Sequence, residues 1–123
     1  MLLLTQNVWA NDLTQADSDW LVQEIDNICG DTWCEGDYNF SFNSLTCDFS
    51  LGECEMKFEV IDTLYDSDWN DVGEVRTPAT CVIAAESRDV LVNTHWNTYS
   101  DYFYETMSEC VSDAESDAAS NRP

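Results

Sequence analysis

The sequence predicts an α+β domain stapled by disulfides: an N-terminal helix, a three- to four-stranded antiparallel sheet and a C-terminal helix. Three observations predict it. Six cysteines (Cys29, Cys34, Cys47, Cys54, Cys81 and Cys110) are spread along 123 residues with no Cys-x-x-Cys pair, the pattern of a disulfide framework made outside the cytosol. Apolar residues recur at helical spacing near both ends. Between them Cys54, Met56, Phe58 and Val60 alternate with Glu55, Lys57 and Glu59, the period of a strand with one buried face.

The first helix is expected over residues 14–29. Trp20, Leu21, Ile25 and Ile28 fall at helical spacing, with Asp17, Asp19, Glu24 and Asp26 near the opposite face. Thr14 and Asp17 resemble a capping box, Ser18 is a rival cap, and Gly30 stands where a left-handed residue would end the helix. Residues 29–37 are turn-rich. A strand over 39–47 carries Phe40 and Phe42, and a loop containing Gly52 joins it to a strand over 54–61. Residues 62–73 are the most polar and read as an exposed loop. A third strand spans about 75–85, where Pro78 argues for a sheet edge or a bulge, and Val90 to Val92 are a candidate fourth. Tyr99, Phe103, Met107, Cys110 and Ala114 then line one face of a last helix over about 98–113. The domain is thus expected over 11–113, followed by a frayed acidic tail over 114–123 with nothing to bury.

Residues 1–10 are leader-like or form an apolar arm. Leu2 to Leu4 supply an apolar run, and Val8 and Ala10 satisfy the small-residue rule for cleavage after Ala10. A basic start is missing and the run is short, so the segment reads as a leader shortened at its start. With the cysteines, it predicts a periplasmic or secreted protein. No stretch is long and apolar enough for a membrane-spanning helix.

Local geometry favours three bridges among the fifteen ways of pairing six cysteines. Cys47 and Cys54 flank the hairpin loop, Cys29 and Cys34 flank a turn, and Cys81 with Cys110 would tie the last helix to the sheet. The rival arrangement carries Cys29 or Cys34 across to the hairpin. Zinc is disfavoured by the wide spacing and the single histidine, and thioredoxin-like chemistry by the missing Cys-x-x-Cys.

Charge narrows the partners. Twenty-five acidic residues face four basic ones, a net charge of −21, which excludes phosphate backbones and anionic membranes as natural targets. Scattered acids favour simple solvation in a salty medium. The sharper reading is steering toward a cationic protein or peptide.

Candidate sites are few. Asp66-Ser67-Asp68-Trp69-Asn70-Asp71 begins like a calcium loop but has Asp71 where glycine belongs and Thr77 where glutamate belongs. A looser oxygen cage would use Asp62, Asp66, Asp68, Asn70 and Asp71 and hold calcium; no other cofactor is implied. His95, the lone histidine, would be the centre of any small hydrolase, yet no nucleophile motif accompanies it. Arg76 and Arg88 read as charge relief among acids. Asn39-Phe40-Ser41 is a glycosylation sequon, relevant only to a eukaryotic secretory route. Trp33, Trp69 and Trp96 lie in expected loops or junctions, where small disulfide domains usually bury tryptophan against their bridges. The leading expectation is an exported acidic binding module without catalysis, such as an inhibitor or immunity-type protein for a cationic partner. A calcium-stabilised extracellular domain and a His95 hydrolase are the alternatives.

Overall fold

Thr14 opens the first helix by accepting the Asp17 N–H on its Oγ1 at 3.1 Å. In the computed structural model, which describes residues 11–31, 38–92 and 102–122, that helix is α1 (Gln15–Asp31). It buries Leu21, Ile25 and Cys29, one stripe at four-residue spacing. Trp20 sits about 100° off the stripe and is exposed, not inward as its proximity to Leu21 suggests. Ser18 is no cap: its hydroxyl is buried and donates to the Leu45 carbonyl at 2.8 Å. Gly30 does not end the helix, since an isolated glycine lowers helix propensity by about 1 kcal/mol without stopping it.

Three strands follow in the order β1-β2-β3, antiparallel throughout. They are β1 (Asn39–Asp48), β2 (Glu53–Tyr65) and β3 (Asp71–Ala84). Central β2 turns Cys54, Met56, Phe58 and Val60 inward, as the alternation predicts. On β1 the buried residues are Phe42, Leu45 and Cys47. The odd step from Phe42 to Leu45 is allowed by a bulge between Phe42 and Ser44, which shifts the phase of the pleat. The β1–β2 turn is closed by Asp48, whose Oδ1 accepts the Ser50 N–H at 3.1 Å, and by Gly52 at φ 69°. Ahead of α1, the Asp12 N–H donates to the Cys47 carbonyl at 2.8 Å and Asn11 Oδ1 accepts the Cys47 N–H, capping that end of the β1 edge. Pro78 lies opposite Glu59 on β3, an edge strand as its missing N–H requires.

Three expectations are corrected. The acidic stretch over 62–73 is mostly strand, because β2 continues to Tyr65 and β3 begins at Asp71; only 66–70 form a connection. Residues Val90 to Val92 are not a fourth strand but part of a one-turn helix, α2 (Arg88–Val92), which buries Leu91. Ser87 fixes its start by accepting the Val90 N–H on Oγ at 3.4 Å. The tail does not fray: α3 runs Tyr102–Ser120. Its inward stripe of Met107, Val111, Ala114 and Ala118 is buried, so residues beyond Asp113 do have a surface to cover.

Both helices lie on one face of the sheet, α1 over β1 and α3 over β3 and β2. The opposite face carries Glu55, Lys57, Glu59, Arg76 and Thr80 and meets solvent. Two of the expected bridges are present. Cys47–Cys54 spans the hairpin and Cys81–Cys110 joins β3 to α3. Cys29 is buried and disulfide-bonded, while Cys34 lies outside the described residues, as do residues 1–10 of the expected leader.

The two described bridges close loops of very different length, with sequence separations of 7 and 29. Paired replacement of Cys81 and Cys110 by alanine should therefore cost more stability, about 3.7 kcal/mol, than the same change at Cys47 and Cys54, about 2.5 kcal/mol. Urea unfolding of the two variants under oxidising conditions checks the order.

Candidate functional site

The β2–β3 hairpin tip is where the polar loop expectation and the tryptophan expectation meet. Asp66 organises it. Its Oδ1 accepts the N–H groups of Asp68 at 2.9 Å and Asn70 at 3.0 Å, and its Oδ2 accepts Asn70 Nδ2 at 3.4 Å. The backbone adds Asp66 N–H to the Asn70 carbonyl and Trp69 N–H to the Asp66 carbonyl. This is an Asx-type turn. The Asn70 N–H is the main reason the Asp66 carboxyl titrates below its ordinary value. A bulge between Leu64 and Tyr65 and Gly73 at φ 139° complete the bend, with Asp71 Oδ1 accepting the Gly73 N–H.

Trp69 is held at φ 64° in this frame, a conformation that costs a bulky residue on the order of 1 kcal/mol. It is also 81% exposed, so burial against a bridge does not explain it, and the expectation that loop tryptophans are buried fails here. Tyr65 meets it with ring centroids 6.2 Å apart and planes tilted by 53°. The two rings with Leu64, Val72, Thr63 and Arg122 line a hollow of about 510 Å³. Trp33, Trp96 and His95 lie outside the described residues.

Of the groups named for the expected calcium cage, Asp66 and Asn70 meet in the hairpin turn, whereas Asp62 is turned into the core. Asp62 occupies the inward phase of β2 and is 1% exposed. Its carboxylate accepts two hydrogen bonds from the Arg122 guanidinium, at 2.7 and 2.8 Å. The Arg122 hydrogen bonds hold the Asp62 carboxyl below its ordinary value, against the opposing effect of burial. Beside it, Asn121 Nδ2 donates to Thr77 Oγ1 at 3.1 Å, so the end of α3 is latched to β2 and β3. Asp66 is committed to its own turn, while Asp68 and Asp71 point away from the core as exposed residues. No group of three or more His, Cys, Asp or Glu suited to a metal occurs among the described residues.

A second hollow of about 330 Å³ lies between α1 and β1, with Asp19 and Asp26 on its rim and Phe40 and Phe42 on its floor. Sequence reasoning missed the Asp62–Arg122 pair. The signal was present: Asp62 continues the every-second-residue series from Cys54 to Val60.

The chain matches no protein-family model, no curated protein and no solved structure.

The latch has a defined pH signature. A carboxyl with a lowered folded pKa contributes fully above its ordinary value of 3.8 and loses that contribution as pH falls through the lower folded value. Asp62→Asn should therefore lower stability by about 1–2 kcal/mol at pH 7, with the difference from wild type shrinking toward zero in strong acid. Thermal melts of both proteins across pH check it. A difference that stays constant with pH contradicts the ionic latch.

Proposed function

We propose that the protein is an exported binding module that associates with a cationic protein, in the manner of an inhibitor or an immunity-type protein, rather than a catalyst. The observation that carries this reading is how the chain uses its four cations. Lys57 pairs with Glu55, Arg76 with Glu59 and Glu74, Arg88 with Asp17, and Arg122 with Asp62. Each is held by the chain's own acids, so the remaining acids set the field that a partner meets. The helical layer is the purest case. Helices α1 and α3 carry five acids each and no lysine or arginine.

Such a surface attracts basic partners from a distance and repels acidic ones, raising association rates at low salt. Disulfides support the exported setting, since they persist in oxidising compartments. No helix among the described residues is long and apolar enough to cross a membrane.

A panel of small basic and acidic proteins tests the reading by stopped-flow binding kinetics, starting at low ionic strength. A basic partner should bind, and its association rate should fall about tenfold or more as salt is raised past the point where surface charges are screened. Absence of binding to every basic protein, or binding indifferent to salt, contradicts it.

A further inference from the structure

The outward N–H and C=O groups of an edge strand need a partner or a guard, and the two edges of this sheet are guarded unequally. On β3, Pro78 removes a donor in mid-strand. On β1, Asn11 and Asp12 bond to Cys47, and the Ser18 hydroxyl bonds to the Leu45 carbonyl. Residues 39–43 of β1 have no such cover among the described residues. We propose that this open half-edge, with the hollow between α1 and β1 beside it, docks an extended basic segment of the partner as a fourth strand. This rests on the cationic-partner reading and deepens it with a surface and a mode of binding.

Three observations carry the assignment. The first is backbone direction. Cys47 turns its N–H and C=O away from β2, and Cys54, Met56, Phe58 and Val60 keep one phase along that strand. Phe42 and Phe40 stand opposite Phe58 and Val60, so their N–H and C=O groups also point outward, where a further strand would continue the ladder. The second is the hollow of about 330 Å³, which side chains of such a strand would enter where they face the helical layer. Phe40, Phe42 and half-buried Val22 offer their stems an apolar wall. The third is charge. Asp19 and Asp26 line the hollow about two turns apart on α1, and no lysine or arginine does among the described residues. Asp19 accepts a hydrogen bond from the neutral Gln15 Nε2 at 2.8 Å, while the chain's four cations pair with other acids. An arginine or lysine entering there would find an apolar stem contact and an uncompensated carboxylate together.

A second copy of this chain does not suit the edge, because it would bring the same two carboxylates and a net charge of −21. The hollow at the β2–β3 tip is lined by Arg122 and by no carboxylate, so it does not select for a cation.

Fluorescence anisotropy and amide hydrogen exchange with a labelled peptide of alternating arginine and valine test the site. Wild type should bind the peptide at low salt, and the Phe40 and Phe42 amides, exchanging fast in the free chain, should slow about tenfold or more on binding. Slow exchange in the free chain shows the edge already covered by the chain itself and overturns the docking site. A methyl group on the backbone nitrogen of one central arginine, or of one central valine, leaves the peptide charge unchanged. One of the two should weaken binding about tenfold and the other little, because alternate residues of a strand turn their N–H groups to opposite sides. Equal effects overturn strand addition. Asp19→Asn with Asp26→Asn should weaken binding about five- to tenfold, whereas Asp113→Asn with Asp117→Asn on α3 should change it less than about twofold. Equal losses in the two pairs overturn the hollow. Self-association of the wild type that protects the same amides overturns the choice of occupant. Failure to bind the peptide while a basic protein of the panel binds sinks the docking edge alone; failure of both sinks the cationic-partner reading with it.

Discussion

The inward face of β2 is the constraint on which the rest of the structure depends. Cys54, Met56, Phe58, Val60 and Asp62 are all essentially removed from solvent, and β1, β3 and α3 all pack against this strand. It pairs with β1 on one side and β3 on the other, and α3 packs on its buried face. A three-stranded sheet with one wet face has little apolar surface to bury, so its two helices must be placed without error. The register does this. A slip of one residue would send Met56 and Phe58 to solvent and Glu55 and Lys57 into the core, and the Cys47–Cys54 bridge joins directly opposed residues.

Charge and fold are reconciled by economy of placement. A chain with net charge −21 repels itself, and four cations cannot neutralise it. Two of them act at long range instead. Arg88 reaches Asp17 at the start of α1 with contacts of 2.6 and 3.0 Å, and those hydrogen bonds lower the Asp17 pKa. Arg122 reaches Asp62 from the last turn of the chain. The first pair is exposed and contributes modestly. The second has a buried carboxylate that would be costly unpaired. Lys57 and Arg76 stay on the open face of the sheet among Glu55, Glu59 and Glu74. The helical face and the hairpin tip are left negative.

Burial also acts in the opposite sense on one acid. Glu115 on α3 is half-buried and its carboxyl is pushed up by desolvation. It favours the folded state at low pH, where Asp62 no longer does.

Much of this was legible in the chain. The alternation from Cys54 to Val60 determined the central strand, helical spacing determined α1 and α3, Thr14 marked a start for α1 with Ser18 as rival, and the placing of cysteines on a hairpin, a strand and a helix face favoured the Cys47–Cys54 and Cys81–Cys110 bridges. These are local patterns, and local patterns report periodicity and turn chemistry directly. What they could not supply was the partner of a residue sixty positions away. Asp62 reads as a loop acid until Arg122 is beside it, residues 114–120 read as a frayed tail until Ala114 and Ala118 meet the sheet, and Val90 to Val92 read as a strand until Leu91 is buried in a helical turn. Trp69 reads as a buried loop tryptophan until the Asx turn aims it at solvent. The sequence by itself determined a stapled acidic α+β chain. Only the tertiary structure decided which acids are spent inside the fold and which face solvent, because that depends on distances between residues far apart in the chain.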